Sequence, residues 1–127
     1  MAKPTAFKNW PKSLGPSYGP LRAVLDHWRD ADTGVFLVDF GMEHYDYVAV
    51  RVEGFSSPES GTEAGDAATL FANLLAPPGS RVRLASKKPI YAQTLSRWVA
   101  SIELEGGMDY GSTMLAAGHT KIGSFMG

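Results

Sequence analysis

The chain contains no cysteine, which excludes disulfides, thiolate zinc sites and a cysteine nucleophile together. It has no run of about 20 apolar residues, the length a membrane-crossing helix requires, so no membrane partner is expected. The first twenty residues carry Lys3, Lys8, Lys12 and the prolines Pro4, Pro11, Pro16 and Pro20 without an apolar stretch. That is not the pattern of a secretory leader, and with the missing cysteines it leads to the expectation of a cytoplasmic protein. Excess charge of one sign is also lacking. Twelve Lys and Arg against thirteen Asp and Glu leave a net charge of −1, which excludes a broadly basic, non-specific binder of duplex DNA. Gly61-Thr62-Glu63-Ala64-Gly65 lacks the lysine of a phosphate-binding loop, and His27, His44 and His119 have no metal-ligand spacing.

What is present is a strong sorting of charge along the chain. Ten of the thirteen carboxylates lie between Asp26 and Asp66, against only Arg29 and Arg51. From Ala67 to Ile102 there is no Asp or Glu, while Arg81, Arg83, Lys87, Lys88 and Arg97 are all basic. A carboxylate-rich half can hold a hard cation through oxygen, and a basic half can hold phosphate oxygens. A site formed where the halves meet would suit a phosphodiester.

The 127 residues are one domain's worth. Residues 1–20 read as an extended, proline-rich arm, and residues 21–127 as the folded domain. Leu21–Trp28 and Val35–Phe40 read as strands separated by the polar turn 29–34. Gly41–His44 makes a hairpin connection. Tyr45, Tyr47, Ala49 and Arg51 alternate with Asp46, Val48, Val50 and Val52, the period-two pattern of a third strand. A helix is predicted over Glu63–Leu75, with Ala67, Leu70, Phe71 and Leu74 as its apolar stripe and Pro77-Pro78-Gly79 as its stop. Ser80–Ser86 and Arg97–Leu104 are predicted strands joined by a loop from Lys87 through Gln93. Tyr110–Ala117 is a short helix ending at Gly118. Three strands, a helix, two strands and a short helix fit a β+α class, a five-stranded barrel with the helix between strands three and four.

Four residues at element edges carry the chemistry phosphodiester hydrolysis requires: Asp32, Arg51, Glu59 and Arg97. A cation and arginines neutralise the charge developing on phosphate, and a carboxylate positions or deprotonates water. Arginine suits its part because its planar fork grips two oxygens and keeps its proton. Taken singly, each has an ordinary structural reading.

Their order is more specific. Asp30-Ala31-Asp32-Thr33, then Arg51-Val52-Glu53-Gly54-Phe55-Ser56-Ser57-Pro58-Glu59, then Arg97 resemble the staphylococcal-nuclease-like (thermonuclease) family over about Leu21–Lys121. The resemblance implies an OB-fold and Ca²⁺-dependent cleavage of DNA or RNA. By position it implies Asp32 as a metal ligand, Ser57 as a backbone-carbonyl ligand, and Glu59 as the residue that orients water. It implies Arg51 and Arg97 as phosphate contacts. Tyr91, with Lys87 and Lys88, lies where the family often contacts a nucleotide strand, so single-stranded nucleic acid is the expected partner. The chain departs from the family where Ser56 stands in place of the second metal-binding aspartate, and where Leu95-Ser96 precedes Arg97 instead of Tyr-Gly. The family's closing helix is also abbreviated here. The alternative is a catalytically silent OB-fold module that binds single-stranded nucleic acid or a protein. Nothing in the sequence bears on oligomeric state.

Overall fold

The computed structural model describes residues 17–87 and 98–120. Five strands, β1 (Ser17–Asp30), β2 (Thr33–Asp39), β3 (Tyr45–Val52), β4 (Arg81–Lys87) and β5 (Trp98–Leu104), close into a barrel in the order β1-β2-β3-β5-β4. Helix α1 (Glu63–Leu75) joins β3 to β4, and α2 (Tyr110–Ala116) follows β5. This is the OB-fold-like β+α architecture expected from the element order. All pairings are antiparallel except β3 with β5, where Val50, Arg51 and Val52 lie beside Trp98, Val99 and Ala100. Among the described residues no helix is long and apolar enough to cross a membrane.

The strand alternation sorts side chains as the pattern predicts. Ala23, Leu25, Phe36, Val38, Val50, Val52, Val82, Leu84, Ala100 and Ile102 fill the interior, while Arg81 and Arg83 point outward. Strand β1 is longer than its apolar run. It begins at Ser17, which pairs with Lys87, and Tyr18 pairs with Ser86. The expected arm therefore gives up its last four residues to the barrel, and Lys87 belongs to β4 rather than to a loop. Residues 1–16 of that arm lie outside the described residues. Shifts of register in β1 between Leu25 and His27 and between Trp28 and Asp30 are bulges, which bend a strand and help a small barrel close.

The stripe expected on α1 is wrong. Ala67 is exposed, and Leu70 and Leu74 are 65% and 73% exposed, whereas Gly65, Ala68, Ala72 and Ala76 are buried. Only Phe71 of the expected set packs, partly, on the core. The reason is distance. A helix lying close against a barrel end must present its smallest residues, and the leucines are left on its outer side. A Cβ on Gly65 would collide with the Glu59 carbonyl oxygen, so the first turn of α1 rests directly on the loop that carries Glu59. Thr62 caps that turn, its hydroxyl accepting from Gly65 N–H at 3.0 Å, a standard N-cap bond.

Helix α2 seals the barrel end where β1 turns into β2. Tyr110 and Met114 are fully buried. Tyr110 stacks on Trp28 with centroids 4.6 Å apart and meets Phe55 edge-on at 6.3 Å. Trp28 in turn donates its indole N–H to the Ala76 carbonyl at the end of α1. Both helices and the β1–β2 turn thus share one aromatic cluster.

Candidate functional site

The β1–β2 turn is built by its own aspartates. Asp32 N–H donates to Asp30 Oδ1 at 3.2 Å, the side-chain-to-backbone bond that makes Asp common in tight turns. The Asp32 carbonyl accepts from Val52 N–H at 2.9 Å, tying the turn to the end of β3. From α2, the Tyr110 hydroxyl donates to the Ala31 carbonyl at 2.5 Å. Burial pushes the Tyr110 phenol well above its usual range, and the Asp32 and Asp30 charges add to the effect. It therefore remains a donor at every ordinary pH.

Asp32, 7% exposed, is the centre of the site. Its Oδ1 accepts from the Thr33 hydroxyl at 3.1 Å. Its Oδ2 accepts from Arg51 Nη1 and from Ser57 N–H, each at 3.0 Å. Arg51 Nη2 donates to Ser56 Oγ at 2.7 Å. The Ser56 carbonyl accepts from the Thr120 hydroxyl at 3.2 Å, so the segment after α2 braces the same loop. Residues from the β1–β2 turn, the end of β3 and the following loop therefore meet within hydrogen-bond distance, 19 to 25 positions apart in sequence.

The two aspartates are set against each other. Asp30 is raised to about 6 by burial, then by its hydrogen bond to Asp32 and that residue's charge. Burial pulls Asp32 upward as well, but its bonds from Asp30 and Ser57, the Arg51 charge and the Thr33 bond together hold it below the usual range. Two carboxyls sharing one small volume divide in this way because both resist being charged at once.

Of the residues singled out by sequence, Asp32, Arg51, Ser56 and Ser57 converge. Ser57 meets Asp32 through its N–H. Glu59 follows two residues later, exposed; its backbone carbonyl accepts from Thr62 N–H and Oγ1, and its carboxylate makes no ion pair with any described residue. Lys87 ends β4. Lys88, Tyr91 and Arg97 lie outside the described residues, although β5 starts beside β3, with Val99 opposite Arg51. Tyr110 and Thr120 support the site without any signal in the sequence that points to them. Thr33 stands out there only as the last residue of the Asp30-Ala31-Asp32-Thr33 motif, and no spacing rule links Tyr110 to Ala31, 79 residues away.

A recess of about 340 Å³ opens next to Arg51, lined also by Phe55, Ser56, Val99, Leu115 and Thr120. Its walls are partly apolar, with the Arg51 guanidinium at one edge and Glu53 also in the lining. Among the described residues no three Asp, Glu, His or Cys side chains gather in metal-binding geometry. The available oxygen donors are the Asp30–Asp32 carboxyl pair and the Ser56 hydroxyl. That set does not fit an all-protein calcium cage, which takes six to eight oxygens. It does fit a largely hydrated divalent cation held by one or two carboxylates together with a phosphate. No protein-family model and no curated protein matches the chain.

Proposed function

We propose that this chain is a nuclease that hydrolyses phosphodiester bonds of single-stranded DNA or RNA with the help of a divalent cation. The observation that carries the reading is the convergence of Asp32, Arg51, Ser56 and Ser57 at one end of the barrel. Arg51 is oriented rather than exhausted by its contacts. A guanidinium has five N–H donors, and Asp32 and Ser56 take one from each terminal nitrogen. The remaining donors can meet two phosphate oxygens and strengthen as charge grows on them. Asp32 holds that fork in place through a partly buried ion pair of 3.0 Å. The recess beside Arg51 accepts the base or sugar next to the cleaved bond. Glu59, solvated and two residues beyond the Asp32-bound Ser57 N–H, would hold the attacking water. A cation bound by Asp32 and Asp30 would supply neutralisation of the non-bridging oxygens. Calcium is the ion the family resemblance implies; the donor set favours a smaller cation that keeps its waters. By the resemblance, Arg97 would contact the phosphate, and Lys87, Lys88 and Tyr91 would contact the nucleic-acid strand.

One observation favours the alternative, a silent OB-fold module that binds single-stranded nucleic acid or a protein. With Ser56 in place of a carboxylate, Arg51 closes an internal ion pair and the acidic count at the site falls. Cleavage of single-stranded DNA and RNA oligonucleotides with Ca²⁺, Mg²⁺ and Mn²⁺ separates the two. The nuclease reading expects cation-dependent turnover that Glu59→Gln abolishes. It also expects Arg51→Ala to reduce turnover by about 2–4 kcal/mol of transition-state stabilisation. Binding without turnover under every cation would identify the silent module instead.

A further inference from the structure

The outer face of the barrel, away from the Asp32–Arg51 cluster, carries two rows of side chains that are complementary to themselves. In the first row, Arg81 on β4 pairs with Val24 on β1, Val24 with Leu37 on β2, and Leu37 with Tyr47 on β3. In the second, Arg83 pairs with Arg22, and Asp39 pairs with Tyr45. Arg22 Nη2 donates to Asp39 Oδ2 at 2.6 Å, which joins that row across β1 and β2. Each row thus runs from an arginine on β4 to a tyrosine on β3. The middle of the first row is apolar, and the middle of the second is an ion pair.

On β1, β2 and β4 these residues alternate with residues of the core, and on β3 Tyr45 and Tyr47 share the parity of Ala49 and Arg51, opposite the buried Val50 and Val52, so the rows lie on the outer face. Tyr45 and Tyr47 are 58% and 62% exposed and Val24 is 40% exposed. Arg81 and Arg83 make no ion pair with any described residue, although Glu103 lies opposite Arg83 in the ladder. The face is also hollowed: a groove of about 720 Å³ includes Arg22, Val24, Leu37, Tyr45, Arg81 and Arg83. Exposed tyrosines beside such arginines and small aliphatics are the composition of an interface rather than of a solvated surface.

We infer that this face binds a second copy of the chain in a two-fold dimer, with the axis parallel to the strands and lying between β1 and β2. Such an axis lays each row on its own reverse. Arg81 of one protomer then meets the aromatic ring that ends the same row on the other copy, and Arg83 does likewise in the second row, as cation–π pairs. The valine and leucine of the first row lie nearest the axis, where the two hollowed faces enclose an apolar middle. The Arg22–Asp39 pairs of the two copies close into one ring of four alternating charges. A symmetric interface needs one surface patch that complements itself, and both rows do so under the same axis. A nucleic-acid strand is disfavoured on this face by Asp39, Glu103 and Glu105 within or bordering the groove. The inference is independent of the nuclease reading.

Sedimentation velocity of the full chain over a concentration series up to the high-micromolar range is expected to show a monomer–dimer equilibrium. Two double variants, Arg81→Glu with Arg83→Glu and Tyr45→Arg with Tyr47→Arg, should each weaken association at least tenfold while keeping the parent's circular dichroism. Mixed in equal amounts, they should pair with each other, since acidic groups then face the introduced cations and the native Arg81 and Arg83 still face native tyrosines. The single variant Tyr47→Ala repeats the test with less change should either double variant misfold. A parent monomeric throughout the series, or variants that associate as the parent does, would overturn the inference. So would a mixture that stays monomeric, or a loss of oligonucleotide binding in place of a loss of dimer.

Discussion

At the residue scale, the site's chemistry is a competition for few charges in a small space. Asp32 keeps its ionised form because donors converge on it, and Asp30 is left as the carboxyl that holds its proton up to about pH 6. The sign of the resulting pH dependence follows. Asp30 titrates near 3.8 without the fold and near 6 within it. Its protonated form therefore adds stability that is complete below about pH 3.8 and lost as pH rises through 6. Asp32 works the opposite way, its contribution present above 3.8 and lost as acid protonates it. The substitution Asp30→Asn keeps a donor toward Asp32 and can never acquire the charge. Denaturant titrations should show the variant equal to the parent near pH 4 and more stable at pH 8, by on the order of 1 kcal/mol, since water screens a partly exposed pair. An offset independent of pH would mean that Asp30 does not face Asp32, Arg51 and Tyr110 as described.

At the element scale, helix α1 shows what a periodic pattern can and cannot tell. Its limits are legible in Glu63 and the stop at Pro77-Pro78-Gly79, and the structure ends it at Leu75. Its buried face is not, because a periodic pattern equates apolar bulk with burial, and here the fully buried positions are glycine and alanine, with Phe71 and Leu75 only partly covered. Strands β3 and β4 give no such trouble, since alternation of valine with arginine or tyrosine leaves one inward choice. The contacts that assemble the site across elements, such as Tyr110 to Ala31 or Thr120 to Ser56, are invisible for a different reason: a hydrogen bond between distant segments leaves no period. Gly65 tests the close approach of α1. An added methyl would clash with the Glu59 carbonyl, so Gly65→Ala should destabilise the fold by about 1–3 kcal/mol through overpacking. Because the relief available is movement of the 56–59 loop, the same variant should lose cleavage more than it loses binding. Unaltered stability and turnover would show that the helix does not bear on that loop.

At the scale of the whole molecule, closure of the barrel decides where the two charge fields meet. The acidic stretch builds β1–β3 and the start of α1, and the acid-free stretch contains β4 and the start of β5. Since β5 pairs with β3, the fields abut beside Arg51, opposite Val99. β4 instead pairs with the part of β1 that precedes Asp26, where Arg22 lies beside Arg83 and Val24 beside Arg81. The charge sorting in the sequence anticipates a boundary site, but the strand order is needed to show that it falls at the β3–β5 seam. A phosphate strand held there can touch only a few cations before it runs over Asp30, Asp39, Glu43 or Asp46. Binding of single-stranded oligonucleotide should therefore depend weakly on salt. If about two or three phosphates are neutralised, log K should fall with log salt at a slope of roughly −1.5 to −2. Lengthening the oligonucleotide beyond a few residues should leave that slope unchanged, because the acidic flank offers the added phosphates nothing. A slope that steepens with length would require a continuous basic track, and the strand would then have to follow β4 rather than cross the seam at Arg51.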